Sequence, residues 1–181
     1  RSDIAAIDLE GTTITVARAG TSGSQTALNL DGTTATTDSV TITAPGFVDL
    51  ELETAGGNDI EIIDISGNGA AATYTLNADE VIEEVTFSGD QDVTLVGAAA
   101  FFSGEKFTDS TTGTSTTTLS ITTAGTLDFD NVTVASAVDV INMGVNMAGN
   151  QMDLASGQTV NLGVTEGTGL DVNMPTATAS S

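Results

Sequence analysis

A period of two runs through Val48–Ser66, VDLELETAGGNDIEIIDIS, and it admits few folds. Val48, Leu50 and Leu52 alternate with Asp49, Glu51 and Glu53. Successive side chains on a strand point to opposite faces, so this stretch puts aliphatics on one face and carboxylates on the other. Ala55-Gly56-Gly57-Asn58-Asp59 follows, a turn built from residues that accept positive φ. A second strand then sets Ile60 and Ile62 against Asp59 and Glu61. At Ile62-Ile63 the alternation slips by one residue, which fits a corner or bulge between short strands better than one long flat strand.

The same grammar extends along the chain. Ile4, Ile7 and Leu9 precede Gly11, and Ile14 and Val16 follow it, giving two short strands about a glycine turn. Ala19–Ser24 and the Thr-rich Thr33–Asp38 read as loops, with Ala27–Leu30 as a strand between them. Ser39–Thr43 is a strand that Pro45-Gly46 breaks. After the turn Gly67-Asn68-Gly69 comes the strand Thr73–Leu76. Asn77–Glu84 fits either one helical turn, with Asn77 as N-cap and Glu80 three residues on, or a lead into the strand Val85–Phe87. Gly89–Asp92 turns the chain into Val93–Val96, whose Val93 and Leu95 are expected to pack with Phe101, Phe102 and Phe107. Thr108–Thr117 reads as a low-complexity loop. Strands follow at Leu119–Thr122, Leu127–Val134, Val138–Met143, Met152–Leu154, Val160–Val164 and Leu170–Met174, most of them separated by glycine turns.

Roughly a dozen short strands and no strong helix leave two all-β architectures, a right-handed parallel β-solenoid (β-helix) and a β-sandwich. The solenoid is favoured by the shortness of the strands and by the phase slips, which look like corners. A unit of roughly twenty residues also recurs in the second half, in Leu127–Gly149 and Met152–Met174. Stacked coils of that length bury their Val/Leu/Ile/Met stripe as one core. Residues 1–175 are read as a single solenoid domain, and Thr176–Ser181, after Pro175, as a linker or frayed tail.

Charge then narrows the function. Asp and Glu number 25 against three Lys and Arg, with no His, for a net charge of −22. Nucleic-acid binding through a basic surface is excluded, because nothing neutralises phosphates. Adhesion to anionic lipid fails for the same reason, and no run of roughly 18 apolar residues inserts into a membrane. An apolar fraction of 39% placed with period two, and a mean hydropathy of +0.15, argue for a folded β-protein rather than an acidic disordered tail. Cysteine is absent, so disulfides contribute nothing. The chain begins without Met or a leader, and is read as a mature product or an excised fragment.

Partners for such a surface are cations. Coils of a solenoid stack about 4.8 Å apart, and like charges at that distance repel by roughly 1 kcal/mol even in water. A ladder of them would threaten a fold worth about 5–15 kcal/mol in total. Either the carboxylates are staggered or cations sit among them. Ca²⁺ is the expected ion, since it takes oxygen ligands in irregular geometry. The candidate ligands are turn-borne acids in D-x-D-like pairs: Asp59 with Glu61, Asp90 with Asp92, and Asp128 with Asp130.

Two other classes are weaker. Paired carboxylates are also the equipment of glycosidases. However, the chain offers one Tyr, no Trp, almost no basic side chain, and no base to activate its many hydroxyls, so it is read as a non-enzyme. Thr-x-Thr at 13–15, 41–43 and 116–118 evokes an ice-binding ladder, but the irregular spacing makes β-propensity the better explanation.

The stretches Gly56–Asp59, Ile82–Gly97, Phe129–Gly144 and Gly149–Gly163 resemble parts of bacterial surface-layer proteins and large exported RTX-type proteins. The resemblance implies an extracellular, cell-surface β-solenoid stabilised by Ca²⁺ that assembles with copies of itself into a lattice or filament, with surface polysaccharide as a second kind of partner. The nine-residue glycine- and aspartate-rich repeat of that family is absent, and Gly56–Asp59 is a fragment of it. Any ions are therefore expected at irregular sites rather than in a regular internal column. The alternative is a sandwich-type binding module of an adhesin or filament subunit, in which Ser2–Leu9 pairs with a neighbour.

Overall fold

The alternation becomes two parallel ladders that share one core. The computed structural model describes residues 10–17, 20–21, 25–31, 39–53, 60–78, 82–102, 106–123, 137–143, 151–153, 159–162 and 171–173. Its strands are β1 (Glu10–Thr15), β2 (Thr26–Asp31), β3 (Ser39–Glu53), β4 (Ile62–Ala78), β5 (Glu84–Gly89), β6 (Val93–Ala98), β7 (Lys106–Thr111), β8 (Thr117–Thr123), β9 (Val140–Met143), β10 (Gln151–Asp153), β11 (Thr159–Leu162) and β12 (Asp171–Asn173). Every pairing between them is parallel. This is the β-solenoid expected from the sequence. The sandwich alternative is excluded, since sandwich sheets are built from antiparallel strands.

The first ladder stacks β1, the front half of β3, the front half of β4, β5 and β7. The second stacks β2, the back halves of β3 and β4, then β6, β8, β9 and β11. β10 and β12 pair separately. Register partners lie roughly 19 to 29 residues apart, from Val140 with Thr159 to Glu10 with Ser39, which brackets the twenty-residue unit.

Inward positions form apolar columns, aliphatic for the most part. Val40, Ile63, Val85 and Phe107 make one, and Ile14, Ile42, Ile65 and Phe87 another. Val48, Tyr74, Leu95, Leu119 and Ile141 line the second ladder. Apart from the half-buried Ile14, these side chains are buried in one continuous cluster. Phe107 stacks against Phe87 and meets Phe102 at a tilt, both at 6.3 Å between ring centroids. Val93, Leu95, Phe102 and Phe107 share the cluster as expected, with Phe101 half-buried against it. Gly97 is small because it must be: a Cβ there would stand 2.8 Å from Phe102 Cζ.

Corners join the ladders. Gly46, Gly69, Gly89 and Gly113 sit between the two ladders on successive rungs, all at positive φ. Pro45-Gly46 thus bends β3 rather than ending it, and the register shifts between Ala44 and Gly46. The Gly67-Asn68-Gly69 turn is a corner inside β4 in the same way. Ile62-Ile63, where the alternation slips, is the start of β4.

Two further expectations are corrected. Asn77 is no N-cap. It lies in β4 and its side chain donates to the Asp49 carboxylate on the rung before. Thr108–Thr117 is not one loop, because β7 runs to Thr111 and β8 begins at Thr117. Phe107 anchors β7, while the Ser/Thr composition around it hides the strand. Thr33–Asp38 and Leu127–Val134 lie outside the described residues, as does Ser2–Leu9.

Candidate functional site

Of the six acids singled out as ligands, Asp59, Asp128 and Asp130 lie outside the described residues. Glu61 stands at the entry to the first ladder. Its carbonyl accepts the N–H groups of Glu83 and Glu84, each at 2.9 Å. Asp90 and Asp92 stand at the exit, the length of β5 away, and both are exposed. Asp90 Oδ1 accepts from Gln91 Nε2 at 3.1 Å. Among the described residues no group of three or more acidic side chains is placed to hold a metal ion.

Asp92 belongs instead to a chain of hydrogen bonds that ties the corners together. Its carboxylate accepts the Thr116 N–H at 2.8 Å, one rung on, and its carbonyl accepts the Ala72 N–H at 2.9 Å, one rung back. Asp139 does the same from the other side. Its Oδ2 accepts the Thr117 N–H at 2.9 Å. The Thr117 hydroxyl is fully buried, donates to the Ala137 carbonyl at 2.9 Å and accepts the Asp139 N–H at 3.1 Å. Buried backbone groups at a corner have no ladder partner and need such acceptors. In sequence Asp139 reads as an outward neighbour of Val138 and Val140, and nothing marks its contact with Thr117 across 22 residues.

The register also decides how the carboxylates stack. Asp49 lies between Ala27 and Thr75, Glu51 between Asn29 and Asn77, and Asp64 between Thr41 and Thr86. Glu84 lies between Ile62 and Lys106, whose Nζ approaches to 2.9 Å. Asp31 and Glu53 are a like-charged pair in register. Glu61 and Glu83 also meet on adjacent rungs at the ladder's entry. In the other registered pairs of the described residues a neutral or basic neighbour interrupts the ladder and often donates, as Asn77 does to Asp49 and Ser88 to Asp64. Staggering was one of the two solutions the sequence allowed, and these acids follow it.

Among the described residues two outward faces remain. On the first ladder, Thr13-Ile14-Thr15 and Thr41-Ile42-Thr43 stand in register despite their uneven spacing in the chain, because the coils differ in length. The columns continue through Asp64, Thr86 and Thr108, and through Ser66, Ser88 and Ser110. Several of these hydroxyls bond to one another, as Thr43 does with Ser66 at 2.9 Å and Thr86 with Thr108 at 2.7 Å. The second ladder carries Thr73, Thr94, Thr118 and Val140 in one outward column and Thr75, Val96, Ser120 and Asn142 in the next. No acid stands in either column over these four rungs, while the exposed Asp92 and Asp139 border them at the corner. No family model, no curated protein and no solved structure matches the chain.

Proposed function

We propose that this chain is an extracellular structural module, one unit of a self-assembling surface layer or filament at a cell surface, with calcium as the ion that lets its acidic surfaces meet. One observation carries this reading: rung after rung of the described residues, most apolar side chains turn inward and most outward positions hold short hydroxyl, amide and carboxylate groups. Such a surface works by contact. A wound rod of parallel rungs holds its outward residues at fixed spacing, so a contact made by one rung is repeated by the next.

Calcium enters through charge. Copies that each carry −22 repel at every approach. Carboxylates from two copies, brought together by a hard oxygen-seeking cation, turn that repulsion into a bridge. The ion sits between copies or beside the acids Asp59, Asp90 and Asp128.

Thermal unfolding and light scattering of the purified chain, followed through a calcium titration and then a chelator, test this. Calcium raises the unfolding temperature and the scattering, and the chelator reverses both. A chain whose unfolding and mass ignore calcium and chelator alike refutes the proposal.

A further inference from the structure

We infer that the outward face of the second ladder, centred on Thr94, Val96, Thr118 and Ser120, is the surface through which one copy of this chain packs on another. The inference rests on the assembly proposed above and names the face that performs it.

The argument is one of charge. With 25 acidic residues in 181, an outward surface without a carboxylate is conspicuous. Over the back of β4 and over β6, β8 and β9, the two outward columns hold Thr, Val, Ser and Asn and no acid. Sequence continues the pattern in β11, where Thr159 and Asn161 stand in register with Val140 and Asn142. On the first ladder the column Thr15, Thr43, Ser66, Ser88 and Ser110 is also free of acid, but the columns beside it carry Asp64 and Glu84. On the second ladder two adjacent columns are free together, up to Asp49, which stands beside Thr75 on the rung before. Along a face such as this one, two highly acidic copies approach without stacking like charges. Asp92 and Asp139 border it, placing any repulsion, and any bridging cation, at its rim.

The chemistry of the face suits a like partner. β-branched Thr and Val present methyl groups on a regular, stiff surface, and little side-chain entropy is lost when they pack. Four rungs span roughly 15–20 Å. That patch is small beside the roughly 800 Å² per partner of a stable pairwise complex. The contact is therefore weak between two copies and becomes firm through repetition in an array.

The cysteine-free chain allows a direct test. Val96→Cys is oxidised with copper phenanthroline under assembling conditions, with Thr41→Cys on the first ladder as control. Disulfide-linked dimers from the Val96 variant, at least about tenfold above the control, support the face, since a cross-link needs the two Cα atoms within about 7 Å. Equal yields refute it. In parallel, Thr94→Asp with Thr118→Asp is compared with Thr13→Asp and Thr41→Asp, which add the same charge to the other ladder. Loss of assembly confined to the first pair supports the inference, and equal assembly of both pairs refutes it. If unaltered protein never assembles, the proposed function has failed and the face falls with it. If it assembles while the Val96 variant cross-links no better than the control, only the face is wrong.

Discussion

At the scale of single residues, the interior is held by a few polar groups that each have a definite partner. Tyr74 is the clearest. Its ring is fully buried, and its hydroxyl lies 2.9 Å from the Ile42 carbonyl and 2.6 Å from that of Ser66. It thereby ties the two ladders together through the core. Burial holds its proton well above the usual tyrosine range, since a phenolate there would lose its hydration. A raised folded-state pKa means that this contribution is whole below about pH 10 and is lost as pH climbs, because the unfolded chain ionises first. As the chain has a single Tyr, tyrosinate absorbance should appear together with unfolding rather than ahead of it. Tyr74→Phe is expected to lower stability by about 1–3 kcal/mol in denaturant unfolding and to blunt the alkaline loss. The corner acids separate by the same logic. Asp139→Ala takes an acceptor from the buried Thr117 and should cost about 1–3 kcal/mol, whereas Asp92→Ala uncovers an N–H that water reaches and should cost less than about 1 kcal/mol.

At the scale of elements, the ladders were legible where the alternation had apolar residues to carry it. Val93–Val96, Val85–Phe87 and Val138–Met143 fall on β6, β5 and β9 within a few residues. β7 was missed because KFTDST offers one large apolar side chain, and a Ser/Thr-rich strand looks like a Ser/Thr-rich loop. In sequence Pro45 reads as a terminator, because a single sequence does not show that the corner it occupies is bridged by the next rung. Unequal coils hid the registration of Thr13 with Thr41 and of Thr117 with Asp139, since contacts across a rung depend on every residue in between. Local spacing marks the candidate calcium ligands, whereas the corner bonds of Asp92 run to neighbouring rungs, which local spacing does not show. Phe107 shows what one anchor does for β7. Phe107→Ala removes a ring packed on Phe87 and Phe102 and should cost about 3–5 kcal/mol, while Thr108→Ala, facing outward one residue on, should cost less than about 1 kcal/mol.

For the whole molecule, the winding turns a repetitive sequence into a surface whose charge is arranged. Interleaving with Thr, Asn and Lys keeps most registered carboxylates from stacking, and the second ladder keeps a carboxylate-free strip over four rungs. The net charge of −22 still opposes the compact state. Raising NaCl from about 10 mM to about 150 mM shortens the screening length from about 30 Å to about 8 Å. Thermal unfolding should therefore move upward across that range, and a small amount of CaCl₂ should act more strongly than NaCl of equal ionic strength. The most direct test of the account is electron microscopy of the purified chain with calcium and with chelator. Ordered sheets or filaments with calcium, dispersing when it is chelated, are the predicted result. Single dispersed particles under both conditions, at concentrations high enough for weak contacts to form, would contradict it.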